Sequence, residues 1–155
     1  MPWQCAVIGI WAMALALFDL KWRHLPNTII LGGAVGAIAY ILMRGYSPLG
    51  ASPSSALIAG LGALIATLPF YGLGWLGAGD GKFMLAIGLM GGVKVLLLTF
   101  VVSSLLTLPY AVWLLACARW RGERAGASAN RIPQGLFLAA GLLVAMTDAA
   151  GFGLG

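Results

Sequence analysis

From Phe83 to Ala118 the chain carries a single charged residue, Lys94. A straight helix over that segment would run about 54 Å at ~1.5 Å per residue, well beyond the roughly 30 Å of a bilayer's hydrocarbon core. The segment is therefore predicted to break at Gly91-Gly92-Val93-Lys94. This leaves a short fourth span and a long fifth, Val95 to Ala118, bent at Pro109. Shorter apolar runs flank it. Cys5 to Leu20 is ended by Lys21, Trp22, Arg23 and His24, and Thr28 to Met43 stops at Arg44. A loop from Gly45 to Ser55, with Pro48, Gly50 and Pro53, precedes a third run from Ala56 to about Leu76. The last run extends from Pro133 to about Thr147.

Composition decides the solvent. Hydrophobic residues make up 61% of the 155 and charged residues only 8%, against roughly 25% charged in ordinary soluble domains. A soluble domain this short could not hide so much apolar surface, whereas a lipid bilayer accepts it. The expected fold is all-α: a polytopic membrane helical bundle of about six transmembrane helices, forming one domain over residues 1–155. The abundant Gly suits helices that approach closely in lipid. Cys5 and Cys117 lie far apart inside apolar runs, as small buried side chains, and no Cys-x-x-Cys pair suggests a zinc site. The first run lacks a basic segment before it, so it reads as a retained span rather than a signal peptide.

Basic residues set the orientation. With six spans, Lys21, Arg23, Lys82, Arg119, Arg121, Arg124 and Arg131 fall on one side, and Arg44 and Lys94 on the other. That bias predicts a cytoplasmic side for the larger group and both termini outside. The positive charges form no stripe interleaved with exposed aromatics, so no nucleic acid is expected as partner.

Four acidic residues remain to carry chemistry. Glu123 sits among arginines in a polar loop, where a solvated ion pair explains it. Asp148 falls at the outer end of the last span and reads as interfacial. Asp19 and Asp80 lie where apolar sequence meets the cytoplasmic boundary, and a carboxylate there is costly enough to need a reason. Two readings stand for each. Asp19 is either a helix-end residue balanced by Lys21 and Arg23 or a functional acid. Asp80 is either the N-cap of a helix beginning near Lys82 or a functional acid. Gly77 and Gly79 are expected to give the backbone before Asp80 unusual freedom. Pro26 suits a turn, and Asn27 is expected to cap the second span.

Asp19 followed by Leu25-Pro26-Asn27, then Gly77-Ala78-Gly79-Asp80-Gly81-Lys82 two spans later, resembles the type IV prepilin peptidase family. That family's pattern is an acid, a basic stretch and Ile-Pro-Asn, then Gly-x-Gly-Asp-x-Lys; Leu25 stands here for Ile. Ile132-Pro133-Gln134-Gly135 resembles the family's Pro-Tyr-Gly, with Gln for Tyr. The chain begins directly with its first span, without the paired-cysteine region of the long members. It is thus similar to the short form associated with Flp or Tad pili, and methyltransferase activity is not expected. The resemblance implies an aspartic endopeptidase of the bacterial inner membrane that removes the short basic leader of a prepilin at the cytoplasmic face. Asp19 and Asp80 would be catalytic, with Gly77, Gly79, Lys82, Pro26 and Asn27 supporting them.

Two carboxylates sharing a proton hydrolyse an amide without metal or cofactor, so none is expected. Helix ends suggest the division of labour. The C-terminal end of its own helix disfavours the anion at Asp19, making it the acid, while Asp80 beside Lys82 becomes the base. His24 is a further candidate, or simply a solvated loop residue. The rival of another class is a small transporter or channel subunit using the same acids as a proton or cation site. It leaves the Leu-Pro-Asn turn unexplained. A presenilin-type protease shares Gly-x-Gly-Asp but pairs it with Tyr-Asp, whereas Phe18 precedes Asp19 here.

Overall fold

The computed structural model describes residues 2–22, 26–73, 77–120 and 134–151. These form five helices: α1 (Pro2–Trp22), α2 (Asn27–Arg44), α3 (Pro53–Gly72), α4 (Ala78–Trp120) and α5 (Gln134–Gly151). The basic loop with Arg121, Glu123, Arg124 and Arg131 lies outside the described residues, as do Arg23, His24, Leu25, Ile132 and Pro133. Helices α1 to α4 are each long and apolar enough to cross a membrane, and the apolar part of α5 is shorter. Large apolar side chains also cover the outside of the bundle. Leu42 is 81% exposed and Ile10 72%, which suits lipid and not water.

The apolar part of α4 covers 40 residues, about 60 Å if straight, twice the thickness of a hydrocarbon core. It does not run straight through. Gly92 has φ 72° and ψ −170° and divides α4 into arms 78–91 and 93–120, within the stretch where the sequence places a break. A broken helix frees backbone groups that need partners. Here the α2–α3 loop and the first turn of α3 supply them. Ser55 Oγ accepts the Val93 N–H (3.2 Å), and the Met90 carbonyl accepts the Leu49 N–H (3.0 Å). Within that loop the Ser47 hydroxyl accepts the Ala51 N–H (2.9 Å), and Ser52 caps α3 through the Ser55 N–H. Left-handed φ is open to Gly92 at little cost, whereas an L-residue there pays about 1–2 kcal/mol. An added Cβ would also meet Ala51 Cβ at 2.7 Å. Gly92→Ala should therefore lower the unfolding midpoint in detergent by the equivalent of about 2 kcal/mol or more.

Small residues hold the first arm of α4 in place. Ala56, Ala59, Gly60, Ala63 and Thr67 form the buried face of α3. They let its backbone touch α4 directly, with Gly88 packed on Gly60 and Ala59. Such close packing is the main adhesive between helices in lipid, where the hydrophobic effect offers little. Phe83, fully buried, meets Trp11 of α1 edge-on at 5.3 Å between ring centroids. Helix α5 packs against both α1 and the second arm of α4, with Gly141 against the Thr99 carbonyl. At the end of the bundle away from Asp19, Lys94 pairs with Asp148 at 3.3 Å. Both partners are substantially exposed, so Asp148→Asn should change stability by under about 1 kcal/mol in a thermal melt.

Candidate active site

Asp19 belongs to the buried stripe of α1. Ile8, Ala12, Leu15 and Ala16 lead to it at helical spacing, and it is itself only 7% exposed. Its side chain therefore turns into the bundle. The carboxylate meets α5: Oδ2 accepts the Leu136 backbone N–H at 3.1 Å. Leu136 lies in the first turn of α5, where backbone N–H groups have no partner within their own helix. Asp19 thus caps α5 from another helix. Lys21 lies over the Trp22 ring, 4.6 Å from its centroid.

Asp80 occupies the first turn of α4 and is half-buried. The helix starts at Ala78 rather than near Lys82, so Asp80 lies inside it and is not its N-cap. Its N–H donates to the Gly77 carbonyl at 3.1 Å. Gly77 and Gly79 have no left-handed φ, and Gly79 is an ordinary helical residue. The freedom expected of these two glycines is not used. What Gly77 supplies is space, since a Cβ there would lie 3.1 Å from Asp80 Oδ2. On the opposite side of this turn Gly81 faces Thr67 of α3, whose hydroxyl is bonded to the Leu64 carbonyl.

Asp19 and Asp80, far apart in sequence, lie at the same end of the bundle, near enough for the Asp19 charge to act on Asp80. Asn27 and Lys82 form a link between the two motifs. Lys82 Nζ donates to Asn27 Oδ1 at 3.0 Å, tying the first turn of α4 to the first turn of α2. This corrects the capping role expected for Asn27. The N-cap position of α2 belongs to Pro26, and no side chain caps the helix. The Pro26 carbonyl accepts the Ile29 and Ile30 N–H groups instead, and the Asn27 side chain is left for Lys82. The bond is solvent-exposed, so Asn27→Ala should cost about 1 kcal/mol or less in stability. A few-fold loss of activity beyond that, in a double-mutant cycle with Lys82→Met, would measure its positioning role.

The contribution of α5 has only a faint trace in the sequence. A backbone N–H donor leaves no residue-type signature, and the nearest signal is Gln134-Gly135 at the start of the helix. Gly135 is buried one residue before the N–H that meets Asp19.

No curated protein matches the chain, and no solved structure matches it. The profile of the type IV leader peptidase family matches residues 6–112, a range that contains Asp19, Pro26, Asn27 and the whole Gly77–Lys82 turn. The chain is a multi-pass helical membrane protein and a peptidase, and it belongs to the type IV leader peptidase family.

Proposed function

We propose that this protein is an aspartic endopeptidase that removes the short basic leader of Flp/Tad-type prepilins, with Asp19 and Asp80 as its catalytic pair. The observation that supports the reading is the placement of these two acids, drawn from α1 and α4, at the same end of the bundle, within range of each other's charge. The excess of Lys and Arg on that side supports a cytoplasmic active site in the bacterial inner membrane. With α4 crossing twice about Gly92, the chain makes six crossings as one membrane-embedded domain, both ends outside. Lys82, Asn27, Pro26 and the two glycines position the acids.

In the reaction one carboxylate takes a proton from water, whose oxygen attacks the scissile carbonyl carbon. The other, protonated, hydrogen-bonds the carbonyl oxygen and then passes its proton to the departing amine. The surroundings of Asp19 favour a division of labour opposite to the one its own helix suggests. Its carboxylate accepts an N–H at the N-terminus of α5, where negative charge is stabilised. Asp19 is therefore assigned as the base and Asp80 as the acid. Membership of a peptidase family favours this reading over a transporter or channel subunit.

Co-expression with a candidate prepilin tests the assignment. Leader removal, read as a shift in electrophoretic mobility, should occur with the wild-type chain and be absent without it. A prepilin that keeps its leader in the presence of the folded protein would count against the reading.

A further inference from the structure

A groove of about 440 Å³ lies between the second arm of α4 and α5. Its walls are apolar, with Phe100 and Leu108 among them, but one edge is a row of hydroxyls, Ser103, Ser104 and Thr107. Gln134 closes one end. Two of the hydroxyls already have a place for their protons. Ser103 Oγ donates to the Phe100 carbonyl at 3.3 Å and Thr107 Oγ1 to the Ser103 carbonyl at 2.7 Å. Each oxygen keeps lone pairs for an incoming N–H.

Two of its lining residues lie near the acids along the chain. Met84, on its wall, follows Asp80 by one helical turn. Gln134 precedes by two residues the Leu136 N–H bonded to Asp19. From there the groove runs along α4 towards Phe100, about 16 Å at ~1.5 Å per residue.

Peptide cleavage at a membrane boundary imposes a requirement that this groove meets. A scissile bond must be extended to be attacked, and extended backbone in an apolar site leaves N–H and C=O groups unpaired, which lipid cannot satisfy. An intact helix satisfies its own backbone over those roughly 16 Å and would leave the row of hydroxyls unused. An extended strand at ~3.3 Å per residue places about five residues along the same length. We infer that the groove binds the extended apolar stretch that begins two residues C-terminal to the scissile bond, with Ser103, Ser104, Thr107 and Gln134 pairing with its main chain. The inference rests on the peptidase reading and names where that site takes its substrate.

The experiment compares two synthetic peptides with the purified protein in lipid nanodiscs. One carries a basic leader, the cleavage site and the following apolar helix; the other stops two residues after the cleavage site. Thr107→Val, which keeps shape and removes the hydroxyl, and Ser104→Ala should each raise KM for the long peptide about fivefold, with kcat nearly unchanged. Neither should alter kcat/KM for the short peptide, which does not reach the groove, and a merely structural role would not separate the two substrates. Ser104→Leu, which fills the groove, should abolish cleavage of the long peptide and spare the short one. Wild-type KM for the long peptide in the Thr107→Val and Ser104→Ala proteins, or equal losses on both peptides, would overturn the groove assignment. Asp19→Ala run alongside keeps the two proposals apart, because cleavage surviving in that variant would overturn the peptidase reading itself.

Discussion

Asp19→Ala and Asp80→Ala should each lower kcat/KM for leader cleavage by about 10⁴-fold, the upper end of what a positioned acid or base contributes. Loss of fold is not the expected cause. Asp19→Ala removes a cap from α5, and Asp80→Ala removes a side-chain bond to the Gly77 backbone at the start of α4, each worth typically about 1 kcal/mol. Circular dichroism and thermal melts should therefore find both variants folded. The Asn variants separate the roles. Asn keeps the size and hydrogen bonding of Asp but takes no proton from water at neutral pH. It still donates a hydrogen bond to a carbonyl oxygen, so it replaces part of the acid's work and none of the base's. With Asp19 as base, Asp80→Asn should retain more activity than Asp19→Asn. The reverse order would return the base to Asp80 and remove the catalytic meaning of the Leu136 N–H.

The second large effect lies away from the acids. Gly88→Val should destabilise the bundle by about 3 kcal/mol or more, the upper range for overpacking. A Cβ at Gly88 would fall 2.6 Å from the Gly60 backbone nitrogen and 2.7 Å from the Ala59 carbonyl carbon. These are main-chain atoms of α3, with no rotamer to turn aside, so the helices must separate. The arm that moves is the one carrying Asp80, and cleavage should fall together with the unfolding midpoint. Gly36 provides the control. Nothing lies within 4 Å of a Cβ built there, so Gly36→Val should lose less than about 1 kcal/mol, mostly as helix propensity. Equal midpoints for the Gly88→Val and Gly36→Val proteins would mean that α3 and α4 do not pack through backbone contact.

The sequence and the structure agree where local physics decides. Apolar runs and the charges that end them locate α1 to α3 within a few residues, because hydropathy acts on each segment independently of its neighbours. The Gly91-Gly92 pair marks the break in α4 for the same reason, as the segment is too long for a bilayer and glycine tolerates the turn. Agreement ends where one element acts on another. Asn27 reads as a helix cap by residue type, yet its side chain is taken by a lysine from α4, 55 residues away. Asp19 reads as sitting at an unfavourable helix end, and that much is true of α1. The N-terminus of α5, 117 residues away, supplies what α1 withholds. A rule about one helix cannot anticipate a donor on another, and the end of α1 taken by itself points to an order of acid and base opposite to the one proposed above.

Mass spectrometry of a prepilin incubated with the purified protein tests most directly whether the two aspartates, from separate helices, together cut a peptide bond next to a hydrophobic segment. The wild-type protein should give two fragments, a basic leader ending in Gly and a mature chain beginning immediately after it. Prepilin should stay intact with Asp19→Ala and with Asp80→Ala. The same two fragments from either Ala variant, in a preparation free of other proteases, would contradict their joint role.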